Sequence, residues 1–351
     1  MTSFTNTNKK YYIDGELIHK GNFYKGTVDK CKYFNNGKIL YEGAFLKGEY
    51  SGKGMLYYPD GEIKYEGNFI NGDCTGKGVF YNITDRKKKY KGDFVNNKRT
   101  GKGKYYDDKI LLYDGDFVND KYTGEGKLYD TNGEIKYDGC FINKLYNGQG
   151  KFYIDGFLKY EGWFINGLYN GNGMIFNTTT GKIIYKGHFI NDLYNGEGKL
   201  YNNTNGQLIH DGGFLNNEYN GNGRSFVDGK LRYEGGYLDG KYNGDGKQYD
   251  IANGKIRYEG YLINNKRTGQ GKSFVNGKIE YEGMYLRGVR IGRGKLYNTT
   301  NGKLIYEGCF INDKYNGEGA LYIDGLLNYK GFFINGLCDE KEFVNNKRTR
   351  L

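Results

Sequence analysis

Apolar residues in this chain recur neither at the 3.6-residue spacing of a helix nor in long runs. They fall in short alternating stretches punctuated by glycine. One unit repeats: tyrosine, then an acid or lysine, Gly-x-Phe-x-Asn, three variable positions, a small polar residue, Gly-x-Gly-x-x and an aromatic. Its first position, zero, falls at Tyr41, Tyr65, Tyr90, Tyr113, Tyr137, Tyr160, Tyr185, His210, Tyr233, Tyr258, Tyr281 and Tyr306, twelve copies spaced by 23 to 25 residues. Every copy has glycine at +2, +11 and +13 and an aromatic at +16. A fixed period of this size marks tandem supersecondary units, each too small to bury a face alone. It predicts an all-β fold, an elongated single-layer antiparallel meander of hairpin repeats, twisted or curved.

The spacing also suggests a register. Let positions 0 to +4 form one strand and +11 to +15 the returning one; paired positions then sum to a constant. A sum of 15 sets Gly +2 opposite Gly +13 and the aromatic at +4 opposite Gly +11, so that Phe141 faces Gly148. A ring over a cross-strand glycine fills space where no side chain stands. The same sum sets acids at +1 (Asp114, Asp138, Glu234, Glu259) opposite bases at +14 (Lys127, Lys151, Lys247, Lys272). By period two, Ile or Leu at −2 is expected on the face of the tyrosine at zero and of apolar +15. The +16 aromatics either turn inward at a bulge or form a second row on the opposite face.

Turn chemistry fits between these strands. Asn at +6, as in Asn71-Gly72 and Asn166-Gly167, opens the connection inside a copy. Asn36-Gly37, Asp155-Gly156, Asp228-Gly229 and Asn276-Gly277 stand between copies. The ends are degenerate: Lys30 and Lys32, then Glu340 and Glu342, replace the +11 and +13 glycines. Charged atypical ends protect an array from edge pairing. The expected organisation is a polar tail over 1–10, a capping repeat over 11–40, twelve hairpin repeats over 41–328, and a capping repeat with a basic tail over 329–351.

Composition supports order over disorder. Mean hydropathy is −0.80, yet 17% of residues are aromatic, and disordered chains are poor in aromatics. The net charge of +11 is spread along the chain among 41 acids. The start has no apolar core of signal-peptide length, and the five cysteines form no CxxC, so free thiols and a cytoplasmic location are expected. Catalysis finds little support. The histidines are isolated, metal-ligand spacing is absent, and the third glycine place of each G-x-G holds an aromatic rather than completing a dinucleotide fingerprint. No enzyme activity and no cofactor are expected.

The pattern Tyr65-Glu66-Gly67 through Gly76 and Gly78 resembles the MORN (membrane occupation and recognition nexus) repeat, including its longer variant form, over about nine-tenths of the chain. It departs from the common pattern where Phe or Tyr stands for Trp at +4 and where Asn or Thr (Asn147, Asn170, Thr75, Thr123) stands for His. The resemblance implies a scaffold for protein partners, peripheral to membranes or the cytoskeleton. It also brings in acidic phospholipid as an alternative ligand, and an antitoxin-like binding protein as an outside one. Basic segments are the candidate contacts for an anionic partner: Lys98, Arg99, Lys266, Arg267, the cluster Arg287, Arg290 and Arg293, and Lys347, Arg348 and Arg350 in the tail. Nucleic acid is disfavoured because acids alternate with these bases. A homo-oligomer is left open.

Overall fold

The computed structural model describes residues 9–14, 16–21 and 27–338. Glu340 and Glu342, expected to cap the C-terminal end, lie outside the described residues, as do Lys347, Arg348 and Arg350. Among the described residues every element is a strand: twenty-nine follow one another, from Lys9–Ile13 to Leu337–Cys338. Two compact units divide the chain, residues 1–170 and 171–351. Each is an open antiparallel meander, with strands hydrogen-bonded to their neighbours in sequence.

The copy beginning at Tyr137 shows the plan. Strands Ile135–Ile142 and Leu145–Ile154 form its hairpin, joined by Asn143 and Lys144. Both turn residues have positive φ, 50° and 74°, the geometry of the tight turn whose twist matches the strands it joins. Tyr137 pairs with Phe152, Asp138 with Lys151 and Gly139 with Gly150, as the spacing predicts. Beyond that point the register shifts. Phe141 pairs with Tyr146 and Ile142 with Leu145, so the aromatic at +4 faces +9 of its own copy rather than +11. Gly148 pairs instead with Phe164 of the next copy. The pairing of a +4 aromatic with a +11 glycine therefore joins successive copies, but the ring does not lie over that glycine: a Cβ on Gly148 would meet Cys140 instead. The shift arises because the two-residue turn starts the return strand at +8, earlier than the glycines alone suggest.

A second correction concerns −2. Between copies, Phe152 pairs with Tyr160, but Tyr153 pairs with Leu158, leaving Lys159 as a bulge. Such a bulge moves the residues beyond it to the other face. Position −2 therefore pairs with the +16 aromatic on the side away from the tyrosines, and −1 takes its place: Ile305, with Leu296 and Leu321, packs against the buried rings. The +16 aromatics form the second row. Their hydroxyls donate to +1 carboxylates, Tyr249 to Glu234 and Tyr297 to Glu282, both at 2.7 Å.

The core is a ladder of rings. Each tyrosine at zero lies across its own Gly +2/Gly +13 pair, and a Cβ on Gly150 would overlap the Tyr137 hydroxyl and ring. The hydroxyl donates to the +3 carbonyl, Tyr113 to Asp116 and Tyr137 to Cys140, both at 3.0 Å. A +9 tyrosine stacks on its outer surface: Tyr137 on Tyr146 at 3.9 Å, Tyr185 on Tyr194 at 3.7 Å. Phe +4 of the same copy and of the next meet it edge-on, as Phe141 and Phe164 meet Tyr137. Edge-to-face and offset pairs add about 0.5–1.5 kcal/mol each beyond area burial.

His210 replaces one of these tyrosines. It is fully buried and stacks on Tyr219 at 3.9 Å, but neither ring nitrogen makes a well-formed hydrogen bond, the Gly213 carbonyl offering only a weak one. Burial pushes its pKa down to about 4.

Two outcomes follow. Gly150→Ala should cost about 3 kcal/mol by displacing the Tyr137 ring, whereas Lys151→Ala should stay within about 0.5 kcal/mol, measured by urea unfolding. His210→Tyr should stabilise the fold by about 1 kcal/mol, since a hydroxyl there reaches the Gly213 carbonyl. Protonation of His210 is favoured in the unfolded chain. Its contribution is therefore whole above the ordinary histidine value and is lost as pH falls toward about 4, by up to about 3 kcal/mol. The tyrosine variant should lack that loss.

Candidate binding surfaces

Each hairpin has two faces and a tip, and the predicted basic residues divide among all three. Lys98 and Lys266 stand at +8, exposed beside the turn, and Arg287 is an exposed turn residue with φ 51°. Side chains of these three make no ion pair among the described residues. Arg293 stands at +12 on the face away from the tyrosines, opposite Cys309 of the next copy. The cluster read from Arg287, Arg290 and Arg293 is thus not a cluster in space.

Arg99, Arg267 and Arg290 do something else. All three occupy +9, the place of the stacking tyrosine. Their guanidinium carbons lie over the position-zero rings: Arg99 is 5.7 Å from Tyr90, Arg267 is 4.6 Å from Tyr258, and Arg290 is 5.5 Å from Tyr281. A planar guanidinium can take over the stacking that the missing ring provided. Two of them also bind the next turn, where Arg99 Nε donates to Asp120 Oδ1 at 2.8 Å and Arg290 Nε to Asp313 Oδ1 at 2.9 Å. Burial pushes the Asp120 carboxyl up, but the side chain and backbone N–H of Arg99 outweigh it and hold the group below its ordinary value. These arginines therefore hold the core together, although two of them adjoin lysines that are free.

The face away from the tyrosines is floored by bare backbone at the paired glycines. Lys–acid pairs cross it from copy to copy: Lys127–Asp138 at 3.0 Å, Lys151–Glu161 at 3.3 Å and Lys295–Glu307 at 3.4 Å. The expected partners within a hairpin are in register, but most lysines reach the acid of the following copy. Asp211 takes both, Lys199 and Arg224 at 2.8 Å. In the second unit this face encloses a groove of about 1280 Å³, with Glu282, Arg293, Lys295, Tyr322, Leu327 and Phe332 among its lining. Among the described residues no group of His, Cys, Asp and Glu could hold a metal ion, and no helix is long and apolar enough to cross a membrane.

One signal escaped the reading of the sequence. Position +5 is Val, Ile or Leu in all twelve copies and in the C-terminal capping repeat, and all thirteen such side chains, from Leu46 to Ile334, are exposed. Stacking the copies in columns reveals it, whereas reading along the chain hides it beside the buried +4 ring.

Hairpins stacked in series, each closed by the next, make this chain a repeat scaffold rather than a domain built around a cleft. The MORN repeat model matches residues 41–63, 65–82, 90–109, 113–135, 137–156, 185–206, 258–279 and 306–326. The chain belongs to the MORN repeat family. No curated protein matches it significantly. The copies at His210, Tyr233 and Tyr281, outside those matches, keep the same glycine pairing.

The two kinds of base should separate in a melting experiment. Arg99→Glu removes the stacked cation and sets a carboxylate against Asp120, at a cost of about 3 kcal/mol; Lys98→Glu should cost less than about 0.5 kcal/mol. Equal losses would place Arg99 in solvent.

Proposed function

We propose that the chain is a non-enzymatic, cytoplasmic scaffold that binds a protein partner on the glycine-floored face. The observation that supports this most is the composition of the groove in the second unit. Its charges are already paired across copies, as in Lys272–Glu282 and Lys295–Glu307, and aromatic and aliphatic side chains stand between them. Neutralised charge beside exposed rings suits a partner of mixed chemistry better than a uniformly anionic surface. The weakened case for lipid points the same way. Of the bases singled out by sequence, Arg99, Arg267 and Arg290 are stacked over core rings and so are not free to meet a membrane.

Attachment to acidic phospholipid remains the second reading, favoured by exposed Lys98, Lys266 and Arg287. Contacts of this kind are weak, additive and screened within about 8–10 Å at physiological salt.

Full-length protein used as bait in a lysate of its own cells should retain a partner, and Lys272→Glu with Lys295→Glu should release it. Lys98→Glu with Lys266→Glu should leave capture unchanged. If no protein is retained, and phosphatidylserine vesicles instead bind at low salt and release as salt rises, the membrane reading replaces this one.

A further inference from the structure

Within the first unit, the glycine-floored face changes character at two adjacent copies. Positions +3 and +12 pair between copies, and the earlier pairs carry charge: Lys77 with Asp93, and Lys102 with Asp116. At the next two junctions the charge fades, Glu125 facing Cys140 and then Gln149 facing Trp163, the only tryptophan of the chain. Position +8 changes in the same place. It is Glu49, Asp73, Lys98 and Lys121 in the preceding copies, then Leu145 and Leu168. Alternation from the buried +4 rings puts +3 and +5 on one face, and Ile142 pairs directly with Leu145 on it. Five large apolar side chains thus stand together, with Ile142 52%, Leu145 49%, Trp163 48%, Ile165 51% and Leu168 41% exposed.

We propose that this patch is the docking site for an amphipathic helix of a partner protein, laid across the strands with an uncharged apolar face. The assignment rests on the reading of the chain as a protein-binding scaffold. Three physical arguments select the helix. Successive copies advance by two strands, about 9.6 Å, close to the roughly 10.5 Å between helix positions i and i+7. Facing strands lie about 5 Å apart, close to the i to i+3 or i+4 spacing. A helix with apolar anchors at i, i+3 or i+4, and i+7 therefore meets Ile142, Leu145, Ile165 and Leu168 in step, with Trp163 beside them as the aromatic anchor.

The alternatives fit less well. A peptide that binds by adding a strand needs a free sheet edge, and strand Ile135–Ile142 is paired on both sides. A second copy of the chain needs about 800 Å² from each partner, whereas these side chains present roughly 450 Å², the size of a functional patch but about half of a stable dimer interface.

Trp163 makes the site its own reporter. Full-length protein should be titrated with a covalently stapled helix of about 18 residues carrying Leu at i, i+3, i+7 and i+10, and with a scrambled peptide of equal composition. The stapled helix should saturate and blue-shift the tryptophan emission, binding at least about tenfold more tightly than the scramble. Leu145→Lys with Leu168→Lys should weaken it at least about tenfold at an unchanged melting temperature, because Lys121 already occupies the same +8 position in this unit. Leu46→Asn, on the same face at a distant copy, should have no effect. Equal binding of the two peptides, or indifference to the lysine variants, overturns the proposal. So does an emission shift produced only by phosphatidylserine vesicles or by raising the protein concentration alone. A cellular partner that stays bound to the lysine variant but leaves on reversal of Lys272 and Lys295 would sink the patch and spare the scaffold.

Discussion

The structure depends on a tyrosine lying flat across a pair of glycines. The ring occupies the space two side chains would need, and its hydroxyl donates to the carbonyl three residues on. That one contact explains the glycine at +13, where a Cβ would overlap the ring, while at +2 the facing strand adds its own limit: a Cβ on Gly139 would first meet the Gln149 carbonyl and the Gly150 Cα. It also explains how so polar a chain folds. A single-layer sheet has no second layer to bury its apolar face, and rings laid along the strands supply that layer from within the sheet. Stacking at +9 and edge contacts at +4 then pass each tyrosine to the next, so no copy is complete without a neighbour.

Much of this was legible in the sequence because glycine and tyrosine at fixed spacing leave few alternatives. The pairing of Gly139 with Gly150 and of Asp138 with Lys151 follows from counting alone. What counting cannot see is a shift in register. The two-residue turn at Asn143 and Lys144 and the bulge at Lys159 each move the pairing, which sends Gly148 to the next copy and Leu158 to the opposite face. Bulges leave little trace in composition, since the extra residue is itself ordinary.

The candidate site was less legible, for a different reason. Arg99 and Arg267 sit in Lys-Arg-Thr segments that read as basic loops, yet their place in the repeat is that of a stacking ring. Charge along the chain and position in the fold gave opposite answers, and position prevailed because a guanidinium is flat enough to stack. The apolar +5 column and the Ile142, Leu145 and Trp163 patch were hidden likewise, since each residue is unremarkable until its copies are compared. Function in such an array lies in departures from the repeat, where an exposed position changes while the ladder beneath it stays the same.

The clamp itself is open to direct measurement by spectrophotometric titration of the tyrosines. Burial pushes the phenols at position zero upward, Tyr41 and Tyr258 to about 12 and Tyr137 and Tyr185 further. Their contribution to stability is whole below the ordinary tyrosine value near 10 and is lost as pH rises through the folded values. The account predicts that the position-zero phenols ionise only near or above about pH 12, together with cooperative loss of the sheet signal in circular dichroism. A single class titrating near pH 10 with the sheet intact would contradict it.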